Sequence, residues 1–239
     1  MRAAVVSDIH GNLTAFEAVL ADLRDMAPDL ILHGGDLGDS GSRPEEVVDR
    51  LRDLSWPGVV GNTDEMLFDP ASLAQFAAGL PRLKSMWDVI EEMAADARER
   101  LGEQRLSWLR VLPRVQIYDD FALVHARPDT AWRAPTDSAA DDDLRSTYEP
   151  LGRPTVVYGH IHRPYIRRVG SVVVANSGSV GLPHDGDRRA SYLLLDDGTP
   201  SIRRVEYDAD RELRALRTSG RPHAEWIARA LESATPQMP

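Results

Sequence analysis

The first third of the chain alternates between short apolar runs and longer amphipathic segments. Three runs end in glycine or aspartate, as buried parallel strands do, and they cover residues 2–8, 28–36 and 57–64. Between them, residues 12–26 and 40–54 place apolar side chains at helical spacing. This alternation of strand and helix predicts a parallel sheet that is covered by helices on both faces.

The remainder of the chain divides into a helical part and a part rich in strands. Residues 66–113 have helical character and close at Pro113. The segments that predict strands are 115–120, 121–126, 154–160, 165–169, 171–179, 190–196 and 201–208. We expect the first two to form a hairpin, and we expect two short helices near 209–217 and 222–233. A frayed tail over 232–239 would complete a single domain spanning 1–239.

The bulk composition limits the classes of function. The chain has 239 residues, no cysteine and a net charge of −10. Without cysteine there are no disulfides, thiolate metal sites or cysteine nucleophiles. Nucleic-acid-binding proteins usually carry a basic face that neutralises phosphates, so duplex nucleic acid is not the expected partner. No apolar run approaches a membrane span, and Asp8 follows the N-terminus too closely for a signal peptide, so we expect a cytoplasmic protein.

Histidine is rare in this chain, and its positions are informative. Four of the seven histidines, together with three other possible ligands, stand at the carboxyl ends of predicted strands. These residues are Asp8, His10, Asp36, Asn62, His125, His160 and His162. Ligands of open α/β sheets bind at this edge, so we expect the seven side chains to gather there. Side chains two positions apart in an extended segment point the same way, which pairs Asp8 with His10 and His160 with His162.

The residue types indicate a metal ion. Imidazole favours manganese, iron, cobalt, nickel or zinc over magnesium and calcium, which prefer oxygen ligands. Each motif alone is weak evidence, because an Asp-x-His near a strand end is more often a cap or a turn. We expect His33 to be a structural histidine and His223 to lie on the surface. The order of the motifs along the chain and their placement at strand ends are what predict a site.

Five blocks carry a resemblance to a known family. In sequence order they are "SDIHGN" (7–12), "GGDLGD" (34–39), "GNTD" (61–64), "LVHA" (123–126) and "GHIH" (159–162). Together they resemble the signature blocks of the calcineurin-like metallophosphoesterase superfamily. A further stretch, "NSGSVGLP" (176–183), resembles a block of its small bacterial and archaeal phosphodiesterase-like branch. The resemblance implies an α/β fold, a four-layer α/β/β/α sandwich with two mixed sheets.

The resemblance also implies a dinuclear metal centre between the two sheets. One ion would take Asp8, His10, Asp36 and His162, and the other would take Asp36, Asn62, His125 and His160. The expected cofactors are two divalent transition-metal ions, with Mn²⁺ first and iron, nickel, cobalt or zinc as alternatives. Such a pair, ~3.5–4 Å apart, would hold a bridging hydroxide that attacks phosphorus in line.

One departure from the family pattern bears on the leaving group. Thr63 stands where many members have a histidine that helps to protonate the departing oxygen, and threonine cannot act as a general acid near neutral pH. Asp64, His184 and a metal-bound water are the candidate replacements, and Asn62 completes the predicted catalytic residues. The chemistry therefore favours substrates whose leaving groups need little protonation.

Other residues bear on substrate binding. Ser40 stands where the protein phosphatases of the family carry a phosphate-binding arginine, which argues against that branch. Asn62, Arg127 and Arg163 are the candidate substrate-binding residues. Asp39 is expected, together with Asp64, to orient metal ligands, since ligating histidines usually need such support.

The sequence thus predicts a dinuclear metal-dependent phosphoesterase that hydrolyses small phosphodiesters or activated phosphate esters of nucleotide type. A dinucleoside polyphosphate hydrolase and a phosphomonoesterase are the alternative enzymes. A non-catalytic metal-binding scaffold is the alternative from another class, because some relatives keep the fold and serve in protein assemblies. All seven metal positions are filled, which argues against a scaffold. The expected partner is a small phosphorylated substrate, without a membrane.

Overall fold

Two β-sheets form the centre of the molecule. The computed structural model describes residues 1–239 without a gap. The strands are β1 (Arg2–Val6), β2 (Leu30–His33), β3 (Val115–Ile117), β4 (Phe121–Val124), β5 (Thr155–Tyr158), β6 (Tyr165–Val169), β7 (Val172–Asn176), β8 (Ala190–Asp196) and β9 (Thr199–Val205). The first sheet has the order β2-β1-β8-β9, and the second has the order β3-β4-β5-β7-β6.

Both sheets are mixed. In the first sheet β1 pairs parallel with β2 and antiparallel with β8. In the second sheet β4, β5 and β7 run parallel, while β3 and β6 add antiparallel edges. The carboxyl ends of β1, β2, β4 and β5 therefore open toward one edge of the molecule.

Eight helices cover the sheets. They are α1 (Leu13–Met26), α2 (Pro44–Leu54), α3 (Asn62–Phe68), α4 (Pro70–Ala78), α5 (Lys84–Arg110), α6 (Asp141–Tyr148), α7 (Ala209–Thr218) and α8 (Ala224–Ser233). The long helix α5 is interrupted at Gly102, whose φ of 66° lies in the left-handed region that favours glycine. None of the helices combines the length and the apolar character that crossing a lipid bilayer would require.

Alternating side chains of β1 show how the layers are built. Ala4 and Val6 pack into the largest apolar cluster, which includes residues of α1, α2 and α5. Ala3 and Val5 point the other way, into a cluster between the two sheets. The outer face of the second sheet packs against α6 through Tyr148 and its neighbours. This arrangement of helix, sheet, sheet and helix confirms the predicted four-layer sandwich with two mixed sheets.

Several local predictions are confirmed and others are wrong. The hairpin over 115–126 is present as antiparallel β3 and β4. The predicted strand over 57–64 is wrong, because Gly58 makes only an isolated bridge and Asn62 already begins a helix. The apolar run there is only two residues long, and the acidic Asp64 favours a helix start. The predicted parallel sheet with helices on both faces is also wrong, because β8 pairs antiparallel with β1 and one face of the first sheet packs against the second sheet.

The C-terminal tail differs from the frayed segment that the sequence predicted. The indole Nε1–H of Trp226 donates to the carbonyl of Gln237 at 2.9 Å, and the Gln237 amide donates to Ser233 and Thr235. The polar composition of the tail did not predict these contacts, because they are hydrogen bonds rather than apolar packing. The tail therefore folds back onto α8.

His33 lies at the end of β2 and is fully buried, as expected for a structural histidine. Neither ring nitrogen has a hydrogen-bond partner, and the ring lies 5.8 Å from that of Trp108. Burial lowers the pKa of His33 to about 4. His223, expected on the surface, is partly exposed and contacts Glu92.

We expect His33→Leu to reduce the loss of stability in acid. Between pH 6.5 and about 4 the unfolded chain takes up a proton at this position while the folded chain does not. The free energy of unfolding is therefore undiminished above pH 6.5 and falls by up to about 3 kcal/mol as the pH drops toward 4. Urea unfolding at several pH values measures this slope. Parallel pH profiles for variant and wild type would contradict the explanation.

Candidate metal centre

The seven predicted ligand residues come together where the strands end. Two groups have ligand atoms that lie within 4.8 Å of one another. The first group contains Asp8, His10, Asp36 and His162, and the second contains Asp36, His125 and His160. Asp36 belongs to both groups, and the Asn62 side chain lies beside the second. Distant parts of the chain thus converge on one point between the two sheets.

Hydrogen bonds fix the rings of His10 and His162 in the first group. His10 Nδ1 donates to Asp39 at 2.6 Å, and His162 Nδ1 donates to the carbonyl of Leu182 at 2.6 Å. Both partners only accept hydrogen bonds, so each ring must carry its proton on Nδ1. The two Nε2 atoms then present lone pairs to each other at 3.1 Å. Two lone pairs this close repel unless a cation or a proton lies beside both.

The second group has the same character. His125 Nδ1 donates to the carbonyl of Gly34 at 2.8 Å, which leaves a lone pair on Nε2. That atom faces two further acceptors, Asn62 Oδ1 at 3.1 Å and Asp36 Oδ2 at 3.4 Å. His160 Nδ1 lies 2.8 Å from the same amide oxygen. Imidazole nitrogens, carboxylates and an amide oxygen form a donor set that suits divalent transition metals, and no thiolate is present.

The electrostatics of the first group support a cation as well. Burial opposes charge on His10, yet Asp39, Asp36 and Asp8 outweigh it and raise the pKa of His10 to about 10. Burial also opposes ionisation of Asp36, but His125 and His10 hold its pKa below the usual range. The buried pocket thus attracts positive charge strongly. Protons and metal ions compete for the same nitrogens, so metal affinity should rise with pH.

The backbone around the ligands is unusual. Five residues adopt the left-handed conformation, with φ between 49° and 66°. They are Asp8, His10, Asp36, His160 and His162. Non-glycine residues rarely adopt this conformation, and such residues cluster at functional sites. Backbone bonds such as His10 N–H to the Asp36 carbonyl, at 3.0 Å, hold the loops in place.

Two glycines allow the loops to approach the ligand carboxylates closely. A Cβ at Gly61 would overlap Asp36, and a Cβ at Gly159 would overlap Asp8 and Ser7. The backbone amide of His160, next to Gly159, can therefore donate to the Asp8 carboxylate at 3.1 Å. Any larger residue at either glycine would push a candidate ligand away.

The supporting residues are mostly where the sequence placed them. Asp39 holds His10, as expected of a residue that orients a ligand. Asp64 is fully buried, and its two oxygens accept the amide N–H groups of Asp36, Leu37 and Gly61. Burial and Asp36 raise the pKa of Asp64 to about 6. Asp64 does not line the cavity beside the metal ligands, and its role as a general acid stays a prediction.

The other candidate catalytic and binding residues lie further out. The ring of His184 stacks on His162 at 4.4 Å, and burial lowers its pKa to about 2, which leaves it neutral at pH 7. A neutral imidazole does not suit the predicted general-acid role. Arg127 and Arg163 pair with aspartates at 3.3 and 3.7 Å and do not line the cavity beside the metal ligands. Their predicted contact with phosphate stays a prediction.

Sequence reasoning missed the backbone carbonyls that hold two of the rings. The carbonyl of Leu182 belongs to the "NSGSVGLP" stretch, and Ser179 in the same stretch donates to the Asp8 carbonyl at 2.6 Å. The carbonyl of Gly34 orients His125. The stretch could be recognised as a motif. Every residue has a backbone carbonyl, however, so the sequence does not show which carbonyl will orient a histidine.

Comparisons with known proteins agree with this geometry. The sequence model of the calcineurin-like phosphoesterase superfamily domain matches residues 1–199. An uncharacterized protein of Methanocaldococcus jannaschii is 29% identical, over 95% of this chain and 96% of that protein. The crystal structure of a metallophosphoesterase from Sphaerobacter thermophilus is 26% identical with a TM-score of 0.78, over 98% of this chain and 100% of the other.

A further relative is matched over a shorter length. A symmetrical bis(5'-nucleosyl)-tetraphosphatase of Methylococcus capsulatus is 32% identical, and the match covers 59% of this chain. This chain spans about half of that enzyme, since the match covers 48% of it.

We expect Asp36→Asn to weaken the binding of both metal ions, because Asp36 is the residue that the two groups share. The amide that replaces the carboxylate keeps an oxygen that can accept the Thr63 N–H, so the fold should survive. Metal content after dialysis should fall from two ions toward none, with the circular dichroism spectrum unchanged. The exposed Asp53→Asn is the matched control. Retention of two ions by Asp36→Asn would show that the residue is not shared.

Proposed function

The chain belongs to the calcineurin-like phosphoesterase superfamily, and we propose that it is a dinuclear metal-dependent hydrolase of small phosphodiesters and activated phosphate esters. This proposal rests on one observation. Side chains whose lone pairs are fixed in direction converge on two positions, and Asp36 belongs to both. We assign Asp8, His10, Asp36 and His162 to one ion, and Asp36, Asn62, His125 and His160 to the other. The donor set favours Mn²⁺ over Mg²⁺.

The chain's own residues hold and orient the reacting groups. Two bound divalent ions supply charge stabilisation for a phosphoryl group and lower the pKa of water. Asp39 and the Leu182 carbonyl keep His10 and His162 in the tautomer that offers Nε2. The oxygen of Asn62 faces His125 and His160, which leaves its amide N–H group free to donate to a phosphoryl oxygen. Only two of the seven ligands are carboxylates, so the site retains positive charge for a phosphate.

The leaving-group side of the site lacks an acid. Thr63 lies at the wall of the cavity, where its hydroxyl donates to Asp39 at 3.2 Å. Asp64 is enclosed by backbone amides, and His184 is neutral at pH 7. No side chain with an available proton thus faces a departing oxygen from these three positions. Esters with weakly basic leaving groups fit this arrangement best.

Hydrolysis of dinucleoside polyphosphates is the second candidate. The match to a symmetrical bis(5'-nucleosyl)-tetraphosphatase favours it, although that match covers 59% of this chain. A phosphomonoesterase would use the same ligands. A non-catalytic scaffold accounts less well for the candidate ligands, because all seven positions carry a residue able to bind metal and five of them adopt a strained backbone conformation.

We expect Mn²⁺ to restore at least about tenfold more activity than Mg²⁺ to protein stripped with a chelator, because hard cations accept a four-histidine set poorly. Hydrolysis of bis(p-nitrophenyl) phosphate, followed by the absorbance of the released phenolate, gives the rate. His125→Gln should abolish the response, while the remote His223→Gln should keep it. Full recovery with Mg²⁺ alone would contradict the metal assignment, and no turnover with any metal would contradict the enzyme.

We expect Thr63→His to raise turnover of alkyl monoesters by about tenfold, by supplying the missing acid. In wild type, rates across a series of aryl esters should fall steeply as the leaving-group pKa rises, and the variant should flatten that slope. Thr63→Gln is the matched control, since it has similar bulk and no transferable proton. A flat wild-type dependence with chemistry rate-limiting would mean that another residue donates the proton.

A further inference from the structure

A cavity of about 310 Å³ adjoins the candidate metal centre. His10, Asn62 and Thr63 form part of one wall, so the cavity is continuous with the site. The remaining wall consists largely of apolar side chains from α3, α4, α5, α8 and the loop before α6. Its largest members are Trp87, Trp132 and Trp226, with methionine, leucine and isoleucine side chains between them. The cavity therefore has a polar end at the metal ligands and an extended apolar end.

The polar atoms of the apolar end are already engaged within the protein. The three indole N–H groups donate to the Leu80 carbonyl, to Glu65 and to the Gln237 carbonyl. The tryptophans consequently offer apolar ring carbons to the cavity and no free donors.

Most of the remaining polar side chains at the cavity wall are engaged too, and the exceptions, Asn62 and His184, lie at the end next to the metal ligands. The hydroxyls of Ser40 and Thr63 both donate to Asp39. The amide of Gln237 donates to Ser233 and Thr235. A bound group with hydrogen-bonding edges would lose its contacts to water at the apolar end and gain few in return, which is costly.

Charge also restricts what the cavity can hold. No lysine or arginine lines it, and its one acidic residue, Asp39, is bound to His10. A chain of further phosphates would enter without a cation beyond the metal centre. This makes the cavity a poor match for a polyphosphate and a good match for an uncharged group.

We propose that this cavity binds the organic group of the substrate ester, and that this group is an apolar aryl group of one or two rings rather than a nucleobase. The inference rests on the proposed phosphoesterase function and narrows its substrate class. A protein cavity of about 150 Å³ holds one benzene molecule, so the larger volume here accommodates a two-ring aromatic group next to a phosphoryl group. Nucleotide-type substrates then become the less favoured class.

A pair of ligands of matched size tests the proposal without any turnover. The metal-loaded protein is titrated with 2-(naphthyl)ethylphosphonate and with 2-(adenin-9-yl)ethylphosphonate, and methylphosphonate reports the phosphonate contribution alone. Quenching of tryptophan emission and calorimetry both give Kd. We expect the naphthyl compound to bind about 10- to 100-fold more tightly than methylphosphonate, the range that burial of one aromatic group supports. Equal affinities, or a preference for the adenine compound, would overturn the proposal.

A charge placed in the cavity wall provides a second test. Met86 is half-buried on α5 and lines the cavity, whereas Ser85 is exposed on the same turn and does not. Met86→Lys should weaken binding of the naphthyl compound by at least about tenfold and should change the affinity for methylphosphonate by no more than about twofold. Ser85→Lys should change neither affinity. Equal loss for both ligands in Met86→Lys would indicate damage to the metal centre and would count against the cavity as the binding site.

The phosphoesterase function and the binding of an aryl group in the cavity can be disproved separately. If no phosphoester is hydrolysed but the naphthyl preference appears, the proposed function is wrong and the cavity assignment stands. If esters are hydrolysed but their affinities do not depend on the apolar group, the cavity assignment is wrong and the phosphoesterase function stands.

Discussion

The repulsion between fixed lone pairs is the interaction on which the site depends. His10 and His162 each donate one ring N–H to an acceptor, so their other nitrogens face each other at 3.1 Å and need a proton or a cation beside them. His125 is held in the same way by the Gly34 carbonyl. Such an arrangement is unfavourable in an uncharged cavity and favourable around a cation. By orienting the histidine rings, the supporting carbonyls and Asp39 therefore define where positive charge must lie.

Holding these groups together has a conformational cost. Five ligand candidates adopt the left-handed backbone region, at roughly 1–2 kcal/mol for each residue. The sum is comparable to the net stability of a whole domain, about 5–15 kcal/mol. The rest of the fold must offset this conformational cost. It does so through the buried sheets on either side and through hydrogen bonds between loops. Glycines at 61 and 159 permit those loops to touch the carboxylates that they position.

The parts of this structure that the sequence predicted are those carried by local patterns. Ligands such as Asp8 and His10 could be found because they directly follow an apolar run, and strand ends meet at one edge. The pairing of β1 with β8 could not be found, since it joins opposite ends of the chain and leaves no local trace. The failed strand at 57–64 has a local cause, its short apolar run and helix start, and a distant one, because Asp64 also accepts the amide N–H groups of Asp36 and Leu37. The folded tail likewise depends on Trp226, a residue whose partner lies outside its own helix.

Part of the cavity wall comes from a segment of the chain that supplies no metal ligand. Every candidate metal ligand lies between residues 8 and 162, within the segment matched by the superfamily's sequence model. Trp226 and the other α8 residues of the cavity wall lie beyond residue 199, outside that segment. Part of the cavity wall thus lies outside the segment on which family membership rests, although most of its lining lies within that segment. Because apolar walls act on the organic part of a substrate and not on its phosphorus, we expect selectivity for that organic part to be separable from catalysis. We therefore expect the helices that cover the site to select the organic group of the substrate, while Thr63 in the third motif limits the leaving group.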